Sequence, residues 1–254
     1  MIVVTNALGH QIPVDFWKFP AGEVGVQVTP KNLPDQITVS VTEDYSSETI
    51  MQLLMLSDAL RRANRNVTLT LSIPYLPYSR QDRVCSEGES SGKALIIKLL
   101  KYSYNKIVTF DVHSDTHSGY YDNVQQDVEE LVSHHKATAL VFPDKGAKDK
   151  YYKLLPNELK CELKILYGTK VRNELGEITD YKVSDIDKLT KDDVVLVIDD
   201  ICDGGRTFIE LAKVLPEVKK KILHVSHGIF SKGVEVLTEH YDEIFAENKV
   251  KSHV

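Results

Sequence analysis

The sequence has few cysteines and no long apolar run. Cys85, Cys161 and Cys202 are odd in number and far apart. That spacing excludes a disulfide scaffold and lacks the paired ligands of a zinc site, so free thiols in a reducing, cytoplasmic setting are expected. No stretch approaches the roughly 20 apolar residues that a membrane helix needs. The first residues have no basic start and no small-residue cleavage site, so a secretory leader is not expected. Basic charge is not in excess: 31 Lys and Arg stand against 37 Asp and Glu, a net charge of −6. A protein whose main task is gripping nucleic-acid phosphates needs the opposite balance. Low-complexity segments and fixed-period repeats are also lacking.

What the 254 residues do contain is an ordinary globular mixture, 42% hydrophobic and 27% charged. Short β-branched apolar runs recur at 37–41, 67–73, 106–112, 138–142, 163–167, 194–198 and 222–226. Continuous runs of this length suit strands buried on both faces of a parallel sheet. Amphipathic helical patterns lie between them at 47–63, 91–104, 127–134 and 207–215. The alternation predicts an α/β fold with crossover connections. A boundary is expected near residues 122–126, giving domains 1–124 and 125–254. The polar stretch 168–191 is long for a connection, and reads either as a functional lid or as a plain hairpin.

The strongest chemical signal is VVLVIDDICDGGRT, residues 194–207. An apolar strand runs into Asp199 and Asp200, then Asp203, Gly204, Gly205, Arg206 and Thr207 open a helix. Ligands of open α/β sheets bind beyond the carboxyl ends of strands, and a glycine loop at a helix start wraps an anion with backbone N–H groups. Carboxylates beside it suit sugar hydroxyls or a metal. The sum reads as a sugar-phosphate cradle; the plain alternative is a capping turn with solvated acids. The stretch GESSGKA, 88–94, imitates a nucleotide P-loop. It is one residue short between its glycines, and Ala94 stands where a Ser or Thr is needed. It is expected to be a helix start, with Lys93 close to the loop that precedes it.

The 194–207 segment resembles the phosphoribosyl-pyrophosphate motif of type I phosphoribosyltransferases and of the synthetases that make that compound. Further segments resemble the ribose-phosphate pyrophosphokinase family. In IPYLPYSRQDR (73–83), Arg80, Gln81 and Asp82 match its ATP-binding loop, with Tyr75 and Tyr78 placed to flank a base. VTFDVHSDTHSGYYD (108–122) matches the Asp-x-His segment, which implies that His113 faces ATP phosphates or Mg2+; a zinc role with His117 would need a helix there. VFPDKGAKDK (141–150) matches the pyrophosphate loop, with Asp144 supporting Mg2+ and Lys145, Gly146 and Ala147 forming the loop. ILYGTKVRNELGE supplies Lys170 and Arg172 with the spacing of the family's flexible catalytic loop. KFPAGEVGVQV (18–28) matches a hairpin that reaches a neighbouring subunit's ATP site through Phe19 and Glu23; Ala21 replaces an acid common there. HVSHGIFSKG (224–233) matches the last strand segment.

The resemblance implies two phosphoribosyltransferase type I-like domains, each a mainly parallel sheet flanked by helices. It implies an enzyme that moves the β,γ-diphosphoryl group of Mg-ATP to ribose 5-phosphate, with Mg2+ as cofactor and a homo-oligomer as the active form. Asp199 and Asp200 would hold the ribose hydroxyls, and residues 203–207 the 5-phosphate. No nucleic acid or membrane partner is expected. Both ends are short against typical members, which implies weak control by phosphate and ADP. Two alternatives stay open: a phosphoribosyltransferase, and a non-catalytic relative that binds a synthetase.

Overall fold

The computed structural model describes residues 1–29, 32–172 and 178–254. Two compact units form. The first holds Met1–Gln125 with Asn248–His253, and the second holds Gln126–Glu247 with Val254.

Unit 1 contains β1 (Ile2–Asn6), β2 (Val14–Lys18), β3 (Val24–Val28), β4 (Gln36–Val41), α1 (Ser47–Ala63), β5 (Thr68–Ser72), α2 (Gly92–Ser103), β6 (Lys106–Phe110) and β7 (Asp122–Val124). Its main sheet has the order β1-β4-β5-β6-β7, with β2 and β3 forming a separate hairpin. Strands β4 to β7 pair in parallel, and only β1 joins antiparallel. Burial alternates along β4, β5 and β6, so each buries one face more deeply than the other. Helix α1 starts where the Ser46 hydroxyl accepts from the Thr49 N–H, and ends with Arg61 and Arg62, where cations suit the helix dipole. The Arg61 guanidinium donates to the Ser103 carbonyl and the Asn105 side chain, both 3.1 Å away. The buried Tyr104 hydroxyl donates to Leu53 O at 2.8 Å, so the two helices are fastened at that end.

Unit 2 contains α3 (Val128–His135), β8 (Ala139–Phe142), α4 (Lys145–Tyr152), α5 (Asn157–Glu162), β9 (Lys164–Arg172), β10 (Ile178–Val183), β11 (Val194–Cys202), α6 (Arg206–Val214), β12 (Lys220–Gly228), α7 (Glu235–Thr238) and β13 (Glu243–Lys249). The sheet order is β10-β9-β8-β11-β12-β13. Strands β9, β8, β11 and β12 pair in parallel, and β10 turns back antiparallel on β9. The central strands are apolar on both faces. Val195 and Val197 pack with Phe208 and Leu211 on one side, while Leu196 and Ile198 pack with Leu140 and Tyr151 on the other.

Three outcomes differ from the sequence expectation. Strand β9 runs five residues past Tyr167 because β10 supplies an antiparallel partner, so 168–191 takes the hairpin form, one of its two expected readings; its residues 173–177 lie outside the described residues. Strand β11 runs on through the two aspartates to Cys202, since β12 continues beside it. Residues 145–147 are the first turn of α4 and not a loop. The Asp144 carboxylate accepts from the Ala147 N–H at 3.0 Å and caps the helix.

Asp193 joins three segments of unit 2. It accepts from Lys164 Nζ at 2.7 Å, Thr138 Oγ1 at 2.8 Å and the Thr190 N–H at 2.6 Å. Burial pushes its pKa up, but these donors outweigh it and hold the carboxyl at about 2. A lowered folded pKa stabilises above the usual carboxylate range, and that gain is lost as pH falls towards 2. Asp193→Asn is expected to cost on the order of 2 kcal/mol at pH 7 and to flatten the stability profile between pH 4 and 2. Urea titrations at pH 7 and pH 3 check this; equal midpoints for both proteins at pH 7 would refute it.

Candidate active site

In unit 1 the residues beyond β5 and β6 form two loops at the carboxyl edge of the parallel strands. The chain after β5 carries Arg80 and Gln81, both exposed, and Asp82, partly buried. Tyr75 packs edge-on against Tyr45 at 5.2 Å, and the Tyr78 hydroxyl lies 2.9 Å from Ser47 Oγ. Tyr75 and Tyr78 are both partly buried. After β6 the chain turns sharply at Asp111, fully buried with φ +43°, and presents His113 exposed two residues on. A left-handed non-glycine residue beside a strand end marks a conformation held by its surroundings. His113 and His117 are not on an α-helix, so the zinc option lacks its geometry.

Lys93 links these loops. Its N–H donates to Gln81 O at 3.2 Å. Its side chain is fully buried, and Nζ donates to Ser114 O at 2.7 Å and to the Ser114 and Thr116 hydroxyls at 3.0 Å. One residue therefore ties the Arg80–Gln81 chain to the chain after His113. Sequence reading put Lys93 near the first loop but had no signal for the second, because a lysine in an exposed-looking GESSGKA gives no sign of burial. Lys93→Met keeps the volume and removes three donors. The expected result is a lower melting temperature, from a loss of about 1–3 kcal/mol. For loops that hold ATP, as the sequence resemblance implies, the same variant should show a raised KM for nucleotide with a smaller change in kcat. A loss of melting temperature with both constants unchanged would make the residue purely structural.

Phe19 and Glu23 lie elsewhere in unit 1. They line a cavity of about 680 Å3 between the β2–β3 hairpin and α1, with Gly22, Glu48, Met51 and Met55. Arg80, Gln81, Asp82 and His113 are not among its lining residues. Phe19 is 49% exposed and Trp17 42%.

In unit 2, β8, β9 and β11 bring three segments to one edge. Asp199 and Asp200 occupy successive strand positions, which point to opposite faces. Asp200 is buried and its carboxylate meets Lys150 Nζ of α4 at 3.0 Å. Asp199 is partly buried and accepts from the Asp200 N–H at 2.9 Å. Burial, then the charge of Asp200, then that of Asp144 raise the Asp199 carboxyl well above its ordinary pKa. Lys150 is a partner the sequence alone did not reveal, since its pairing depends on α4 folding back over β11.

Asp203 and Gly204 follow, partly buried, then Gly205 at φ +76°. A Cβ at Gly205 would lie 3.1 Å from Leu237 Cδ2, so both backbone and space favour glycine. Helix α6 begins at Arg206 with no side chain capping it, which leaves its first N–H groups turned to the loop. Arg206 is exposed and Thr207 partly buried. Asp144 caps α4, with Lys145 and Gly146 in the same turn. Lys170 and Arg172 are the seventh and ninth residues of β9; the backbone there pairs with β10. At the hairpin base the Tyr181 hydroxyl donates to Pro143 O, passing over Gly168, where a Cβ would be 2.0 Å from Tyr181 Oη. Gly168 therefore lets the hairpin fasten to the Asp144 segment.

Among the described residues no three His, Cys, Asp or Glu side chains gather as a metal cluster. No helix among the described residues is long and apolar enough to cross a membrane.

Two units with parallel sheets flanked by helices, and with glycine and acid loops at the strand ends, define a type I phosphoribosyltransferase-like fold. Residues 4–103 match the family model for the N-terminal domain of ribose phosphate pyrophosphokinase. The ribose-phosphate pyrophosphokinase of Pyrococcus abyssi is 29% identical over 97% of this chain and 87% of its own length. That of Thermococcus kodakarensis is 29% identical over 98% and 90%. The crystal structure of phosphoribosylpyrophosphate synthetase from Mycobacterium smegmatis superposes with a TM-score of 0.74 at 21% identity, covering 91% of this chain and 78% of that one. The chain resembles the ribose-phosphate pyrophosphokinases along most of its length, and residues 4–103 resemble that family's N-terminal domain.

Proposed function

We propose that the chain is an ATP-dependent ribose-phosphate diphosphokinase. The anomeric hydroxyl of ribose 5-phosphate attacks the β-phosphorus of ATP, the bond to the α-phosphate oxygen breaks, and phosphoribosyl pyrophosphate and AMP result. The observation that carries this reading is the 199–207 segment. It joins a pair of carboxylates, which suit sugar hydroxyls, to an uncapped helix start that suits a phosphate.

Roles follow from chemistry. Arg80 and Gln81, with Asp82 behind them, bind ATP in unit 1, and His113 meets its phosphates or their metal. Asp199 with Asp200 takes the ribose hydroxyls, and the N–H groups of 203–207 with Thr207 hold the 5-phosphate, save that of Gly205, which is held by Cys202. Lys145, Gly146 and Ala147 face the diphosphate; the Ala147 N–H is already held by Asp144, so Lys145 and Gly146 are the available donors of that turn. Lys170 and Arg172 neutralise charge that grows on the bridging oxygens and the leaving AMP. Positioning and charge stabilisation dominate such transfers.

Mg2+ is commonly held by one or two carboxylates together with substrate phosphates. Asp144 offers hard oxygen beside the crowded Asp199, and a cation there relieves repulsion between them. The residues therefore fit Mg2+ carried on ATP, where it would polarise the phosphoryl oxygens. Release of AMP from Mg-ATP, measured with and without ribose 5-phosphate, tests the reading. Release without the sugar, or none with it, rejects it.

The active form is proposed to be a symmetric dimer or larger ring. Phe19 and Glu23 line a hairpin cavity apart from Arg80 and His113, as residues that serve a neighbouring subunit's ATP site would. Light scattering at assay concentration is expected to find no active monomer.

A further inference from the structure

We propose that Lys232 determines specificity for a phosphorylated sugar by meeting the phosphate at the 203–207 loop. This rests on the ribose 5-phosphate reading above. The turn after β12 folds back onto the end of β11. The N–H groups of Ile229 and Phe230 donate to Cys202 O at 2.8 and 3.2 Å, and the Ser231 hydroxyl donates to the Asp203 carboxylate at 2.6 Å. These contacts seat the Lys232 stem over the loop: a Cβ at Gly204 would lie 3.6 Å from both its Cδ and its Cε. The residue as a whole is exposed, so its stem lies along the loop while the ammonium stays accessible to a ligand.

Charge gives this placement its meaning. The segment from Asp199 to Thr207 carries three aspartates and one cation, Arg206. Lys150 on the far side is already engaged with Asp200. A phosphate at the start of α6 gains from the helix dipole but faces Asp199 and Asp203. The same two acids push the buried Cys202 thiol up to about 12, after burial itself, which places their field at this loop. A second cation over Gly204 offsets that field where the phosphate would sit. A lysine suits the task as a compact charge on a flexible stem. Unphosphorylated ribose offers this ammonium only a neutral hydroxyl in place of a charged phosphate, so the contact selects for the phosphate.

The test compares Lys232→Met, which keeps the stem and loses the charge, with Lys232→Arg, which keeps both. Steady-state AMP release is measured against ribose 5-phosphate and against ATP, and calorimetry measures ribose 5-phosphate binding alone. For Lys232→Met the expected result is a KM and a dissociation constant for ribose 5-phosphate raised on the order of tenfold, with kcat and the KM for ATP within about twofold. Lys232→Arg should recover most of the loss. An unchanged sugar-phosphate KM in Lys232→Met, with wild-type protein active, overturns the role of Lys232 and leaves the functional reading standing. Equal losses in both variants would assign the effect to stem packing and also overturn it. A wild-type protein without sugar-dependent AMP release removes the reading and this inference together.

Discussion

Lys170→Ala and Arg172→Ala are each expected to lower turnover on the order of 100- to 1,000-fold, while KM values for ATP and ribose 5-phosphate move far less. The proposed role explains the split. Attack at the β-phosphorus shifts charge onto the leaving AMP and the bridging oxygens. A cation that meets this charge mainly in the transition state raises kcat more than it tightens ground-state binding. Loss of one preorganised donor of that kind costs about two to three powers of ten. Backbone geometry adds a constraint. The two residues are two apart on β9, and the β9 backbone pairs with β10 beside both of them. A change that breaks the pairing of β9 with β10 should therefore impair both at once. Steady-state kinetics of the single variants decides the matter. A sharp rise in the KM for ATP with turnover kept would reduce these residues to nucleotide binding.

Asp199→Asn and Asp200→Asn should both abolish most activity yet part in stability. Asp199 carries a raised folded pKa, so its ionised form is disfavoured by the fold. Stability from such a group is fully present below its unfolded pKa and lost as pH rises through the folded one. Removing the charge at pH 7 therefore keeps or raises the melting temperature, even as turnover falls on the order of 100-fold with the loss of a sugar contact. Asp200 differs because its carboxylate holds Lys150, and both side chains are largely buried. Weakening that pair leaves a buried ammonium with a poorer partner, at a cost of about 3 kcal/mol. Thermal melts beside activity measurements separate the two. Near-normal activity and sugar-phosphate affinity in the double variant would end the sugar assignment, and identical melting temperatures for the two single variants would end the division of labour between them.

Much of the architecture was legible because buried parallel strands are written as unbroken apolar runs. The runs at 37–41, 106–112 and 138–142 lie within one or two residues of β4, β6 and β8. Helix α1 matches its expected bounds of 47–63, since its cap and its terminal arginines are both local signals. Strands β1, β7 and β13 were not among the runs: β7 has three residues, β13 carries a polar pattern, and β1 becomes a strand by pairing with β4, beyond the β2–β3 hairpin.

The sequence by itself determined where the loops beyond the strand ends fall. A change from apolar run to acids and glycine is visible residue by residue, and it marks the carboxyl end of a strand near 80, 113, 144 and 203. Tertiary structure decided what those residues do there. It extended β11 through the aspartate pair because β12 continued beside it, and turned 145–147 into a helix because the Asp144 carboxylate reached the Ala147 N–H. It also set Lys150 on Asp200, buried Lys93 between two loops and laid Lys232 over Gly204. The physical reason is range. Strand and cap propensities act over a few residues, whereas the Lys150–Asp200 pair joins residues 50 apart in sequence and exists only once the sheet has closed around it.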